Sequence, residues 1–383
     1  MRIVAVVIGA VHHNTLGVIR SLGENKEMKI DIKVLLVGEK VKSKNIISES
    51  RYVKRQHIYY VERDIDIPDW LMENSTSEAG SQIVICCSDG SAEQVISNYD
   101  KLKQWYQLPS VNCNITKLMS KNTQGRIAAE CGFRVPKGDL ITRGSITDWN
   151  IFPCITKPEK SVQGKGKDDI HIAFSEEELN GYLNEIRATH VQIQEYLEKA
   201  FEYQLIGCSL NSGKTLIIPG YTRIIRQPSN TNTGYLVLSP IEKLDYDSAP
   251  VKRFLTTIGY NGLFSMEFIR DKNGKDYFLE INLRNDGNAY CVQSAGINLP
   301  NVWCKYSATG EIPKSNLKIK ESVFFIPDFL DMKVGIEKEG VIGWLNQFIT
   351  AKSHSLFNLM DMKPFIYDLN RRIDSYVKKR MHK

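Results

Sequence analysis

The sequence predicts a multi-domain α/β protein whose first third is a doubly wound layer of alternating strands and helices. Two observations carry this. Near-continuous apolar runs at 3–10, 31–37 and 81–87 are separated by helix-compatible or polar segments, the pattern of parallel strands buried on both faces. Beyond residue 200 the pattern changes to strands paired through Asn, Ser and Gly turns, which indicates an antiparallel sheet. The length of 383 residues suits two or three domains.

Taken in order, the first layer reads as a strand at 3–10, a helix at 15–22, strands at 31–37, 57–61 and 81–87, then the polar stretch Ser88-Asp89-Gly90-Ser91 and a further helix. Ligands of such layers sit at the carboxyl ends of the strands. A helix follows at 114–131, closed by Gly132 with Pro136 shortly after, as helix ends commonly are. Next come a strand at 152–157, a Gly- and Lys-rich loop at 159–169, a short strand at 170–173, a helix whose Ser175 and Glu178 form a capping box, and a strand at 191–196. The remainder reads as a hairpin about Asn211-Ser212-Gly213-Lys214, a helix at 249–258, strands at 263–270 and 276–283, and a tail with a strand at 321–326, a helix at 340–348 and a last helix ending in a basic cluster at 378–383.

Composition narrows the function. Hydrophobic residues are 42%, charged residues 25%, and the net charge is +6. That excess fits an anionic small molecule such as a nucleotide and falls short of a nucleic-acid binder. Eight cysteines without a CxxC pair read as free buried thiols in a reducing cytoplasm. The apolar start ends in His12-His13-Asn14 and reads as a buried strand, not a leader. No stretch has the roughly 18 apolar residues of a membrane helix.

The strongest site lies at 263–288. A two-residue turn at Asn273-Gly274 sets Glu267 opposite Glu280 and Ser265 opposite Asn282, with Met266 and Phe268 facing Ile281 and Leu279 on the core side. Opposed carboxylates repel. A divalent cation between them reverses the sign, and Mg²⁺ takes a few carboxylate or amide oxygens plus phosphates and water. On this reading the metal-free Glu280→Gln protein is the more stable one. Arg223 and Arg226 are candidates for binding a substrate carboxylate or phosphate; their spacing puts them on opposite faces of a strand, so at most one points into the site.

Phe278-Leu-Glu-Ile-Asn-Leu-Arg284 resembles the metal strand of the ATP-grasp superfamily, Glu-x-Asn-Pro-Arg, with Leu283 in place of proline. Asn14-Thr-Leu-Gly-Val-Ile-Arg-Ser-Leu22 looks like the start of the carbamoyl-phosphate-synthetase-like and D-aspartate-ligase-like carboxylate–amine ligases of that superfamily. The resemblance implies an α/β ATP-grasp architecture: a Rossmann-like layer at 1–112, a small α+β lid at 113–200 and a larger mixed domain with a C-terminal extension at 201–383. It implies ATP and Mg²⁺ or Mn²⁺ as cofactors, with Glu267, Glu280 and Asn282 on the metal. Lys121, preceded by Ser120 where the family has an acidic residue, and Lys157 resemble the two nucleotide lysines. Gly164-Lys165-Gly166-Lys167 resembles the phosphate loop, Gln194-Glu195-Tyr196-Leu197 the adenine hinge and Glu202 the ribose carboxylate. Arg284 resembles the arginine beside the transferring phosphoryl group. The segment after the first strand borders the substrate pocket in such proteins, which implicates His12, His13 and Asn14.

The implied activity joins a small-molecule carboxylate to an amine through an acyl phosphate, releasing ADP and phosphate. The alternatives are another output of the same fold, a carboxylase or small-molecule kinase, and a non-catalytic nucleotide-binding protein. No nucleic-acid partner and no transmembrane segment are expected; the oligomeric state, a homodimer included, stays open. Gly213-Lys214-Thr215 is a decoy: position 208 is Cys208 where a phosphate loop needs glycine, and the segment joins two strands.

Overall fold

Alternate residues of the first strand, β1 (Ile3–Gly9), serve two different cores: Ala5 and Val7 pack into one, Val6 and Ile8 into the other. A strand covered on both faces must be apolar throughout. The computed structural model describes residues 2–38, 43–75, 80–143, 148–158, 170–228, 233–313 and 317–381. β1 is the centre of a parallel sheet with β2 (Ile30–Val37), β3 (Ile58–Val61), β4 (Ser81–Cys86) and β5 (Tyr106–Gln107), in the order β3-β2-β1-β4-β5. The order reverses direction between β1 and β4. The segments that leave those two strands, at His12 and at Ser88-Asp89, therefore flank the crevice where open α/β sheets bind ligands. His12 and Ser88 each cap the helix that follows, His13–Gly23 and Asp89–Ser97.

A four-stranded sheet follows: β6 (Gly138–Thr142), β7 (Cys154–Pro158), β8 (His171–Ala173) and β9 (His190–Glu195), in the order β6-β9-β7-β8. The helix Glu176–Glu185 covers it, capped by Ser175 as the sequence predicts. This lobe has its own core, whose buried members all lie between Ile141 and Ile193. The 114–131 helix is two helices, Ile115–Leu118 and Lys121–Glu130. The second, grouped with the lid in the sequence reading, packs on the larger sheet: Gln124 Nε2 donates to Ile281 O and its Oε1 accepts from Ile281 N, both at 3.0 Å.

The largest sheet has seven strands, β10 (Lys199–Leu210), β11 (Thr215–Arg226), β12 (Tyr235–Pro240), β13 (Gly262–Asp271), β14 (Asp276–Asn282), β15 (Val323–Ile326) and β16 (Ser353–His354), ordered β14-β13-β10-β11-β12-β15-β16. It is antiparallel except at β15–β16. Gly213, with φ of 81°, lies in the β10–β11 turn, so the decoy phosphate loop joins two strands as expected. Among the described residues no helix is long and apolar enough to cross a membrane.

Arg226 departs from its expected role. Its side chain is buried and its Nε and NH2 reach the two oxygens of Asp331 at 2.9 and 2.5 Å; NH2 also reaches Gln347 Oε1 at 2.9 Å. The guanidinium is consumed by the helical tail and is closed to a substrate carboxylate. A register shift between Ile224 and Arg226 turns it off the simple alternation. Arg223 is exposed, with its guanidinium 5.6 Å from the Phe201 ring centroid. Because Asp331 is left as an uncompensated buried charge, Arg226→Ala is expected to lower the unfolding free energy by about 3–5 kcal/mol, read as a lower urea midpoint; a change within the error of the titration would refute this assignment.

Candidate functional site

The hairpin β13–β14 sets the site. The turn differs from the two-residue form expected. Asp271 pairs with Lys275, leaving Lys272, Asn273 and Gly274 as a three-residue loop, with Gly274 at φ 77°. That extra residue would put Glu267 opposite Leu279. A bulge at Leu279 restores the register: Phe268 pairs with Phe278, but Glu267 with Glu280 and Ser265 with Asn282. Phe278, not Leu279, fills the core position against Phe268. The expected opposition of carboxylates is present, by a different route.

Each carboxylate has its own partners. Glu280 Oε2 lies 2.7 Å from Lys121 Nζ. Burial pushes the Glu280 carboxyl up, but the positive charges of Lys121, Lys157 and Arg284 together outweigh it and hold the group below the usual range. Among the described residues no cation is in contact with Glu267. Its Oε1 accepts from Gln204 Nε2 at 3.2 Å and from Asn282 Nδ2 at 3.3 Å. Burial, then Glu280 and Asp286, push its carboxyl well up. Lys157, on β7, donates to Gln194 Oε1 at 2.9 Å. Burial and then Lys121 lower it to about 8. Two lysines from different elements thus converge on the charge of one hairpin.

Arg284 follows β14 and reaches across to the first sheet. Its Nε donates to Asp89 Oδ1 at 2.9 Å, NH1 to Asn285 O at 3.2 Å, and NH2 to Asn282 Oδ1 at 3.2 Å; Asp286 Oδ2 is 3.5 Å from NH1. Burial opposes its charge, and Asp89 and Asp286 more than offset that. The loop is stapled to the carboxyl ends of β1 and β4. Asn285 N donates to Cys86 O at 2.9 Å, Asn14 Nδ2 to Cys87 O at 2.8 Å and to Asn285 O at 2.9 Å, and Asn285 Nδ2 to Asn14 Oδ1 at 2.6 Å. Asn14 is therefore a buried fastener; its amide is spent on the protein. His12 Nδ1 accepts from Asn14 N at 3.3 Å, so the neutral ring carries its proton on Nε2. Burial and the nearby Arg284 lower its pKa. His13 is buried and, through burial and then His12, held well below the usual range.

The hinge residues join the small lobe to β10. Gln194 lies in the β9 ladder. The amides of Glu195 and Tyr196 donate to Lys137 O at 2.8 Å and Pro153 O at 2.9 Å. Leu197 follows in the irregular link. Glu202, on β10, accepts from Lys199 Nζ at 2.8 Å. Gly164, Lys165 and Gly166 lie outside the described residues. Sequence reasoning missed Asp89, Gln204, Asp286 and Asn288. Asp286 and Asn288 carried a signal, since the all-polar run Asn285-Asp286-Gly287-Asn288 directly follows the strand. Gln204 carried almost none, because its importance rests on the β10–β13 register.

The donor set fits a hard divalent ion such as Mg²⁺. Glu267 Oε2 and Glu280 Oε1 accept no hydrogen bond from any described residue, and Lys121 already supplies part of the counter-charge. Oxygen donors from two carboxylates and an amide are the chemistry that ion selects. Among the described residues no group of three or more His, Cys, Asp and Glu side chains is placed to hold a metal by itself, so Asn282 and non-protein oxygens complete any such shell.

No family model matches the chain. The D-aspartate ligase of Enterococcus faecium (strain Aus0004) is 21% identical over 252 residues, and the match spans 59% of this chain and 59% of that protein. Among solved structures, the L-amino acid ligase from Bacillus licheniformis superposes with a TM-score of 0.60 at 12% identity, covering 85% of this chain and 79% of that one. The biotin carboxylase domain of the Hydrogenobacter thermophilus 2-oxoglutarate carboxylase, solved with MgADP and bicarbonate, gives 0.62 at 18% identity, covering 84% and 73%. At these identities the likeness is one of fold.

The two carboxylates predict opposite stability effects. Glu267, pushed up, favours folding when protonated; that contribution is full below its unfolded pKa and is lost as pH rises through the raised folded value. Glu267→Gln is therefore expected to stabilise the metal-free protein by about 1 kcal/mol at pH 8, with a smaller gain at pH 5, in urea titrations with chelator. Glu280→Gln strips Lys121 of its partner and should give no such gain, contrary to the expectation from the strand pairing alone. An equal gain in both variants would refute this distinction.

Proposed function

We propose that this chain, whose fold is the ATP-grasp fold, is an ATP-dependent ligase that joins a small-molecule carboxylate to an amine. The observation that carries the reading is the convergence, on the opposed Glu267 and Glu280, of Lys121 from the large-sheet side, Lys157 from the small lobe and Arg284 from the loop tied to the first sheet. Such an arrangement concentrates positive groups and metal-seeking oxygens at one point, as phosphoryl transfer requires. The D-aspartate ligase and L-amino acid ligase likenesses support an amide- or peptide-forming output.

On this reading Glu267, Glu280 and Asn282 would hold Mg²⁺, which would supply counter-charge for the phosphates of ATP. Lys121 and Lys157 contact the phosphates, the stretch from Gln194 to Leu197 reads the base through its backbone, and Glu202 binds the ribose hydroxyls. A carboxylate oxygen attacks the γ-phosphorus, the bond to the β-bridging oxygen breaks and ADP leaves. The amine nitrogen then attacks the acyl carbon, phosphate departs with the former carboxylate oxygen, and the nitrogen loses its proton. Arg284 orients the carboxylate and offsets the repulsion between the two anions. The amine enters from the first sheet, past His12 and His13. Arg223 is the one arginine of its pair left to contact a substrate. Eight unpaired cysteines suit work in a reducing cytoplasm.

The test is isotopic. With a competent carboxylate and amine pair, ATP should yield ADP and phosphate, and oxygen-18 placed in the carboxylate should appear in the phosphate. Glu280→Gln should retain its circular-dichroism spectrum and lose turnover by about a hundredfold or more. AMP among the products, or label kept wholly in the ligated product, would rule out the acyl-phosphate route.

A further inference from the structure

We propose that Gln204 is a positioning residue that aims the carboxylate of Glu267 at the cation. Gln204 lies on β10 directly across from Glu267 on β13 and is buried. It sits between Tyr203 and Leu205, whose side chains turn to the opposite face of the sheet and join the apolar core there. The amide stands between two carboxylates. Its Nε2 donates to Glu267 Oε1 at 3.2 Å and to Asp286 Oδ2 at 3.0 Å. Its Oε1 accepts from Asn288 Nδ2 at 3.3 Å and Thr222 Oγ1 at 3.4 Å. These partners fix the orientation, because the flipped amide would set its oxygen against two carboxylates.

The consequence falls on Glu267. Gln204 and Asn282 both donate to Oε1, which pins that oxygen and leaves Oε2 as the one that accepts from no described residue. Asp286 plays the opposite part. Ser265 Oγ at 2.9 Å, Asn288 N at 2.8 Å and Gln204 saturate it, so it anchors the amide and does not compete for the cation. Thr233 Oγ1 donates to Asn288 Oδ1 at 2.7 Å and extends the same chain of bonds. A ligand oxygen is held in place by its outer partners, and their loss typically weakens metal binding by about 10–100-fold.

This rests on the reading of Glu267 as a cation ligand, and the experiment separates the two claims. Mn²⁺ binding in the presence of ADP is measured by electron paramagnetic resonance for the unaltered protein, for Gln204→Met, which has the length but no donor, and for Gln204→Asn, whose donor is withdrawn. Melting temperatures are measured in parallel, and turnover of ATP where it occurs. The expected result is a Kd for Mn²⁺ raised about tenfold or more in both variants, with kcat reduced and KM for ATP within about threefold. A purely structural role would shift the melting temperature and leave the Kd of the folded protein unchanged; that result, or two variants that do not fold, overturns the proposal alone. Failure of the unaltered protein to bind Mn²⁺ with ADP overturns the metal reading and this proposal with it.

Discussion

The structure is organised around a repulsion. Glu267 and Glu280 face each other across an antiparallel pair, where like charges work against the sheet. The neighbouring features act on that cost. Lys121 offsets the charge of Glu280, and the amides of Gln204 and Asn282 solvate one oxygen of Glu267. Gln124 bonds both main-chain groups of Ile281, the residue between Glu280 and Asn282, and so docks the Lys121 helix where its charge is needed. Glu267, with an amide-bonded oxygen and a carboxyl pushed well up, is the part of the hairpin that the metal-free fold does not explain.

The second constraint is where the hairpin ends. Immediately after β14 the chain reaches the carboxyl edge of the parallel sheet, where Asn14, Cys86 and Asp89 receive it. Arg284 is thus held by both sheets at once. Two of the hydrophobic cores also run through both sheets: one joins Ile8 and Val84 to Leu205 and Met266, the other Val7 and Leu16 to Ile206 and Leu236. The first sheet is therefore part of the support of the site, and not an appended domain. A shift of the β1 or β4 end would be felt at Arg284 directly.

Local chemistry made much of this legible in the sequence. The apolar runs gave the parallel layer, the Asn-Gly turn placed the hairpin, and the carboxylates were found on facing strands. The last success hides two compensating departures, a longer loop and a bulge at Leu279, because turn composition fixes the existence of a hairpin better than its residue count. What escaped was non-local. Arg226 looked available until Asp331, 105 residues later, was seen to hold it. Asn14 looked like a loop ligand until its partner Asn285 was in view. Gln204 is one of several polar residues on β10, and only pairing with β13 sets it apart from the others.

The self-contained core of the small lobe has a consequence for how such a protein changes over generations. The buried apolar residues of that core, from Ile141 to Ile193, are drawn from the lobe alone, whereas the ground beneath Glu267 and Arg284 is shared by the other two sheets. A substitution inside the lobe, at Leu179 or Val191, alters how firmly Lys157 and the hinge are held without repacking the floor under the hairpin. A substitution at the ends of β1 or β4 does the reverse. Selection can therefore act on the setting of the lobe and on the setting of the hairpin as two nearly separate traits, and descendants can vary one while inheriting the other.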